Sequence, residues 1–245
     1  MNVCTDQLGM LIAGEGQLYS VSYLASDPNS SVLAEEASSY PVNHGLAEEV
    51  FLMKPDLVLA GTYTTRSTVS LLRRLGIQVE EFAPESSFDD VRANIRRMGE
   101  LLNRRERAAE LVSELDDGLE RLRLSPSAAK TVAAYYANNY TSGSGTLVDQ
   151  VIAATGLVNL AARLGYVGTA QLPLELLILA RPDILIDGGE RYETPALAQQ
   201  SFSHPAYRAL AEAATRVDIP AKYTICGSPF TLEAARILQD AAARP

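Results

Sequence analysis

Polar and aromatic residues recur in the loops that follow the apolar, strand-like runs of this sequence. Ligands of open α/β sheets bind beyond the carboxyl ends of the strands, so these loops are where we expect a ligand. The candidate ligand-binding residues are Tyr23, Asn43, His44, Thr62 and Tyr63 in the first half and Asn138, Asn139, Tyr140, Tyr166, Tyr192, Cys226 and Ser228 in the second. Tyrosine combines a flat apolar face with a hydroxyl, which suits a large planar or amphipathic ligand. Any single Tyr has a simpler interpretation as a surface or core-edge residue.

The chain has only two histidines, His44 and His204. A metal site built from protein side chains usually recruits several His, Cys or carboxylate groups. We therefore expect no directly bound zinc or manganese ion. His44 is a candidate hydrogen-bonding or axial contact to a metal that is already chelated, whereas His204, directly before Pro205, is predicted to be a surface residue.

Motifs of the common enzyme classes are missing from the sequence. A dinucleotide-binding turn needs three glycines between a strand and a helix, but Gly14 and Gly16 precede a predicted strand and have no third partner. A serine hydrolase needs a Gly-x-Ser-x-Gly elbow, which the run from Ser142 to Gly145 does not provide. Neither motif supports an enzyme, and we expect no resident cofactor.

The composition is that of an ordinary globular chain with an acidic balance. Its 245 residues are 47% hydrophobic and carry a net charge of −9. This charge argues against a nucleic-acid partner, because phosphate binding needs clustered Lys and Arg. The Arg pairs at 73–74, 96–97 and 104–105 alternate with acids and are predicted to be solvated helix faces.

A repeated pattern organises the two halves of the chain. Residues 48–61 and 175–188 both read Glu, six residues, Pro-Asp, an apolar run and Gly. The pattern predicts a helix, a turn and a buried parallel strand in each half. Glu48 and Glu175 then lie at helix N-termini, where the helix dipole alone could explain them.

Two consecutive helices are predicted between these halves, over 87–102 and 104–124. In the second, an apolar stripe at helical spacing runs from Ala108 to Leu122, and about 20 helical residues span roughly 30 Å. Pro126 forbids continuation. We predict an N-terminal α/β lobe over 1–86, a helical segment over 87–127 that includes a bridging helix, and a C-terminal α/β lobe over 128–245.

Alternating elements predict a largely parallel sheet in each lobe. The first helix is predicted to start with Thr5 as its N-cap. The predicted strands are 18–24, 57–60, 77–82, 131–137, 184–187, 217–219 and 223–226, and the main predicted helices outside the central segment are 47–53, 146–155, 174–180, 205–213 and 231–243. The two cysteines, Cys4 and Cys226, could pair in an oxidising compartment or both be free, and their spacing leaves this open.

In order and spacing, these features resemble the substrate-binding proteins of ABC importers for ferric siderophores, haem and cobalamin, the helical-backbone class III family. The resemblance is carried by Glu48 with Pro55–Gly61, 72–76, 87–124, 140–143, and Glu175 with Pro182-Asp183. It implies two Rossmann-like lobes joined by one long α-helix, with ligand in the cleft between the lobes. A single stiff helix also implies modest lobe motion.

The family is periplasmic or lipid-anchored outside the cell. This sequence instead opens with Met1-Asn2-Val3 and Cys4, without a secretory leader or most of a first strand. We expect that a leader has been removed or truncated. The alternatives are a cytoplasmic or sensor binding protein of the same fold, or a haem carrier.

The resemblance also implies residue roles. Glu48 and Glu175 would each dock against basic residues of one permease subunit, and Tyr140 matches an aromatic residue that faces ligand in cobalamin-binding relatives. Catecholate chelates usually need an Arg cluster, whereas only Arg66 and Lys222 fall near the predicted site. We therefore expect a ligand of low charge, either cobalamin or a hydroxamate-type ferric chelate, with haem less favoured. The protein is expected to be a monomer.

Overall fold

The computed structural model describes residues 1–124, 129–187 and 197–244. The chain divides into two compact units. The first unit comprises residues 1–115 and 221–230, and the second comprises 116–220 and 231–245. This division differs from the predicted three segments, because the central helical segment is shared between the units and the segment 221–230 joins the first.

Five helices and four strands make up the first unit before the long helix. They are α1 (Val3–Ile12), β1 (Val21–Ser22), α2 (Ala34–Ala37), β2 (Val42–Asn43), α3 (Ala47–Leu52), β3 (Leu57–Gly61), α4 (Arg66–Arg74), β4 (Gln78–Phe82) and α5 (Phe88–Leu101). The strands form two parallel pairs, β1 with β2 and β3 with β4. Val50, Val58, Leu72 and Val79 belong to a buried cluster that α3, α4 and the β3–β4 pair share.

The central segment contains the two predicted helices. Ser87 and Asp90 form a capping box at the start of α5, in which each side chain satisfies a backbone N–H of the first turn. Asn103, with φ of 53°, separates α5 from α6 (Arg105–Leu124). The 20 residues of α6 run from the first unit, up to Leu115, into the second, from Asp116.

The second unit is built on a parallel sheet. Its elements are β5 (Thr131–Tyr135), β6 (Tyr140–Ser142), α7 (Leu147–Ala154), β7 (Val158–Asn159), α8 (Leu160–Arg163), β8 (Thr169–Gln171), α9 (Leu174–Ala180), β9 (Ile184–Asp187), α10 (Gln200–Ser203), α11 (Pro205–Ala213), β10 (Thr215–Val217) and α12 (Thr231–Ala242). The parallel strand order is β10-β9-β5-β7, and β6 pairs antiparallel with β8. The consecutive residues Val132 and Ala133 of β5, and Ile184 and Leu185 of β9, are buried, as expected for parallel strands covered on both faces.

The repeat holds at the level of backbone conformation. Helix α3 leads into β3 and α9 leads into β9, as the pattern predicts. The residue before each Pro, Lys54 and Arg181, has a positive φ, 51° and 46°. A left-handed residue at this place ends each helix and turns the chain into its strand. Among the described residues, no helix is both long and apolar enough to cross a bilayer.

Three local predictions were wrong. Helix α1 begins two residues before Thr5, because the Asn2 side chain accepts hydrogen bonds from the backbone N–H groups of Cys4 and Thr5. The strand predicted over 18–24 is only Val21–Ser22, which matches the length of its partner β2 and gives way to a 3₁₀ turn at Tyr23. The strand predicted over 223–226 is absent, because this segment is tied to α1 and to Glu85 instead of to a sheet.

Candidate functional site

The carboxyl ends of β1 and β2 present an aromatic pair. Ser22 and Asn43 are paired in parallel register, so the next residues, Tyr23 and His44, emerge at the same edge. Their rings stack, with centroids 5.8 Å apart and planes inclined by 19°. Tyr23 is 53% exposed and the His44 side chain 63%. The pair therefore offers a flat aromatic surface to solvent.

Glu49 orients His44. Its carboxylate accepts the His44 backbone N–H at 2.7 Å and lies 3.2 Å from His44 Nδ1. The backbone hydrogen bond from His44 is the main reason that the pKa of Glu49 is lowered. The loop ahead of α3 is thus closed by a charge-assisted contact. Sequence reasoning missed Glu49, although it lies beside Glu48 and five residues after His44.

The carboxyl ends of β3 and β4 border a small cavity. Thr62 donates its backbone N–H to the Phe82 carbonyl at 2.9 Å, which continues the β3–β4 ladder. Thr62 and Tyr63 are exposed, Tyr63 to 87%. The cavity has a volume of about 230 Å³, and its lining includes Thr62, Tyr63, Asn2, Phe82, Glu85 and Ile225. Sites for drug-sized ligands usually occupy about 300–1,000 Å³, so this cavity can take only one edge of a larger ligand.

A disulfide between Cys4 and Cys226 ties the segment 221–230 to α1, across a Cα–Cα distance of 5.1 Å. The Gly227 N–H donates to Glu85 Oε2 at 3.1 Å. A side chain at Gly227 would have its Cβ 2.6 Å from Cβ of Glu85. No local pattern in the sequence indicates a role for Glu85, because its partner Gly227 lies 142 positions later in the chain.

Three predicted ligand residues are instead part of the first unit's interior. Cys226 is 2% exposed and disulfide-bonded, and Ser228 is 4% exposed. Asn43 is 3% exposed and donates to Ser20 Oγ at 2.8 Å. In this structure their side chains support the loops rather than face solvent.

In the second unit, the loop that follows β5 contains a tight turn at Ala137–Asn139. Asn138 and Asn139 have φ of 56° and 61°, a left-handed conformation that Asn tolerates better than most residues. The Asn139 carbonyl accepts the Leu172 N–H at 2.9 Å. This hydrogen bond fixes the start of β6, where Tyr140 is 40% exposed. Asn138 and Tyr140 are therefore available at this end of the sheet.

Of the two interpretations given for a loop tyrosine, ligand contact or core edge, the structure favours the core edge for Tyr166. It is half-buried and packs against the apolar cluster around Tyr135, Leu160 and Leu177. Its carbonyl accepts the Ser144 N–H at 2.9 Å. Tyr166 is thus a core-edge residue. Tyr192 lies outside the described residues.

The predicted cations also differ in exposure. Arg66 is exposed at the start of α4. Lys222 is half-buried, and its Nζ lies 5.5 Å from the centre of the Tyr223 ring. Over residues 1–124, 129–187 and 197–244, no group of three His, Cys, Asp or Glu side chains converges to hold a metal ion.

The two repeat glutamates occupy equivalent positions. Glu48 is the second residue of α3, Glu175 is the second residue of α9, and both are exposed. In the part of the chain that the structure describes, neither carboxylate forms an ion pair, whereas neighbouring Glu49 is engaged by His44. Each unit therefore presents one exposed carboxylate at the same place in the repeat.

Comparison with known proteins places this arrangement in context. A cobalamin-binding protein of Halobacterium salinarum is 30% identical over 146 residues, which is 58% of this chain but only 40% of that relative. The periplasmic heme-binding protein RhuT of Roseiflexus sp. RS-1 shares the fold at a TM-score of 0.77 and 22% identity, with 98% of this chain and 97% of that chain covered.

The periplasmic vitamin B12-binding protein BtuF of Vibrio cholerae superposes with a TM-score of 0.69 and 17% identity, over 99% of this chain and 94% of that one. All three similar proteins are binding proteins. The periplasmic binding protein family model matches residues 5–217, from α1 to β10 and through both copies of the repeat. The chain therefore belongs to the periplasmic binding protein family.

Proposed function

We propose that this protein is an extracytoplasmic substrate-binding protein that captures a metal chelate and delivers it to an ABC importer. The main support is the set of exposed aromatic side chains at the carboxyl ends of strands in each unit. Tyr23, His44 and Tyr63 lie at these ends in the first unit, and in the second Tyr140 ends the turn that follows β5. Flat, amphipathic side chains of this kind suit a large planar chelate.

The preferred ligand is cobalamin or a hydroxamate-type ferric chelate. A relative with 30% identity is a cobalamin-binding protein. The predicted binding loops carry few cations, Arg66 and the half-buried Lys222, so a neutral or weakly charged ligand fits better than a trianionic catecholate. Haem is the second choice, supported by the fold shared with the heme-binding protein.

The disulfide supports a location outside the cytoplasm. Stable disulfides are rare in the reducing cytosol and common in the periplasm and at cell surfaces. Cys4 and Cys226 are the only two cysteines of the chain, and they are paired.

Ligand choice can be tested by titrating the purified protein with cyanocobalamin, ferrichrome and haemin, followed by absorbance and by calorimetry. We expect saturable 1:1 binding of cyanocobalamin or ferrichrome, tighter than that of haemin. Tight binding of haemin alone would reassign the protein as a haem carrier. Binding of none of the three would contradict the proposed ligand class.

The second part of the proposal is that Glu48 and Glu175 dock onto the two permease subunits. An exposed ion pair adds about 0–1 kcal/mol, so we expect effects on orientation and association rate rather than a large loss of affinity. The double variant E48Q/E175Q should lose transport but keep wild-type ligand affinity. E36Q/E212Q is the matched control, because Glu36 and Glu212 are exposed on α2 and α11, one in each unit. Wild-type transport by E48Q/E175Q would refute the docking role.

A further inference from the structure

Each repeat glutamate is followed, four residues later, by a strongly exposed leucine. Leu52 follows Glu48 at the end of α3, and Leu179 follows Glu175 within α9. Both leucines are 77% exposed. Residues four apart lie one turn apart on the same helix face. We call these two surfaces the Glu–Leu faces, Glu48 with Leu52 in the first unit and Glu175 with Leu179 in the second.

Neither leucine contributes to the core of its own unit. The core-facing residue of each short helix lies between them, Val50 at 4% exposure in α3 and Leu177 at 0% in α9. Leu52 and Leu179 point away from these buried positions. A single exposed leucine needs no explanation. The same residue at the same register and exposure in both copies of the repeat, beside an exposed carboxylate, does need one.

We propose that Leu52 and Leu179 are apolar anchors of the permease interface, each entering an apolar pocket beside the basic group that receives its glutamate. This inference rests on the proposed function and extends it. The occupant is a partner with two like subunits, because the two faces repeat the same combination of charge and apolar surface. Exposed Leu46 and Phe51 next to the first face, and Leu176 next to the second, enlarge the apolar area.

The two residue types predict different kinetic effects. An exposed ion pair changes affinity by about fivefold or less, and its charge mainly sets the association rate and its salt dependence. Full burial of a leucine contributes about 10- to 100-fold in affinity. Among variants of one interface, such differences appear mostly in the dissociation rate. The leucines should therefore govern how long the complex lasts, and the glutamates how fast it forms.

The test measures binding of the full chain to its cognate permease complex in nanodiscs, by surface plasmon resonance at about 50 and about 300 mM salt, a range over which charge screening changes strongly. L52Q/L179Q is compared with E48Q/E175Q and with the control L75Q/L164Q. Leu75 and Leu164 are 45% and 43% exposed, directly follow α4 and α8, one in each unit, and belong to neither Glu–Leu face. Thermal unfolding of each variant checks that the fold is retained.

We expect L52Q/L179Q to dissociate at least about 10-fold faster, with wild-type association rate and salt dependence, and each single variant to show part of the effect. E48Q/E175Q should show the converse, slower association and a weaker salt dependence. If L52Q/L179Q behaves like the control while E48Q/E175Q is impaired, the leucine anchors are refuted and the docking function stands. If the wild-type protein does not bind the permease complex, both are refuted.

Discussion

The two units of this protein reach stability by different means. The first has only two-stranded parallel pairs and is held by contacts between distant parts of the chain, among them the Cys4–Cys226 disulfide and the Glu85–Gly227 hydrogen bond. The second has a four-stranded parallel sheet whose apolar strands β5 and β9 are buried. The first unit therefore adds specific links between distant segments to its apolar clusters, whereas the second is organised on one four-stranded sheet.

The same contrast extends to their aromatic side chains. In the first unit Tyr23 and Tyr63 lie at strand ends in solvent. In the second, Tyr135 is fully buried and packs with Phe202 and Tyr207 at centroid distances of 6.0 and 5.7 Å. Exposed aromatic residues thus lie at strand ends in the first unit, whereas the aromatic residues of the second unit lie largely in its core.

The largest expected effect comes from removing the disulfide. Loss of a native disulfide typically costs about 2–5 kcal/mol of unfolding free energy, and both cysteines belong to the first unit. Reduction, or the variant C4S/C226S, should lower the protection of α1 and of 221–230 against hydrogen exchange while β5 and β9 keep theirs. Mass spectrometry of peptides resolves the two units. Adding reductant to C4S/C226S is the control, because this variant has no disulfide to reduce. Equal loss of protection in both units would contradict the view that the disulfide stabilises the first unit.

The next effect tests the tight packing of the second unit's loop. A Cβ at Gly143 would lie 2.3 Å from the Tyr166 carbonyl oxygen, a backbone atom that cannot simply rotate away. G143A should cost about 1–3 kcal/mol of unfolding free energy, the usual range for overpacking. G9A is the control in the first unit, because its Cβ would meet only Leu18 at an ordinary 3.6 Å. Urea unfolding compares them, and equal stability of both variants would refute the argument.

Local patterns in the sequence predict much of this architecture. Helix α9, strand β9 and helix α11 have the predicted bounds, because each has strong local signals, including Pro182 before β9 and Pro205 at the start of α11. The exposure of Glu48 and Glu175 agrees with their position in the repeat. These features depend on residues close together in the chain.

Contacts between distant residues could not be predicted in this way. The burial of Cys226 and Ser228 follows from links to Cys4 and from the position of Glu85, and no local pattern encodes either. Asn43 is similar, because its side chain is held by Ser20, 23 positions away. The loop positions of candidate ligand residues were predictable, but the direction of each side chain was not, since it depends on which segment packs beside it.

A smaller effect should separate an exposed tyrosine at the carboxyl end of a strand from one at the opposite end. Truncating Tyr63 removes a flat contact at the β3 end, and we expect Y63A to bind the chelate about 10-fold more weakly, or about 1.4 kcal/mol. Y19A is the control, since Tyr19 is 63% exposed but precedes β1 at the opposite strand end. Titration with cyanocobalamin or ferrichrome, whichever binds the wild type, measures the change. Equal weakening by Y19A would show that the effect is not specific to the strand ends.

The smallest expected effect concerns two carboxylates that anchor backbone, one in each unit. Asp90 accepts a hydrogen bond from Ser86 Oγ at 2.8 Å and from two backbone N–H groups, and Asp183 accepts from the backbone N–H and the hydroxyl of Thr131 at 2.7 and 2.8 Å. These bonds favour the charged form. They lower the pKa of Asp90, mainly through the Ser86 side chain, and the pKa of Asp183, mainly through the Thr131 backbone.

The sign of the pH dependence follows from these shifts. An unfolded Asp has its ordinary pKa of about 3.9, so below that pH the unfolded chain takes up a proton more readily than the folded one. The stabilisation is fully present above about pH 4 and is lost as the pH falls through the lower folded pKa. Both carboxylates lie near water, so each contributes less than about 1 kcal/mol. D90N and D183N should each flatten the fall in unfolding free energy between about pH 4 and pH 2, measured by urea unfolding. Asp90 caps a helix in the first unit, and Asp183 ties β9 to β5 in the second. Hydrogen exchange at low pH should therefore assign each loss of stability to its own unit. If both variants keep the wild-type dependence of unfolding free energy on pH, these two carboxylates do not account for it.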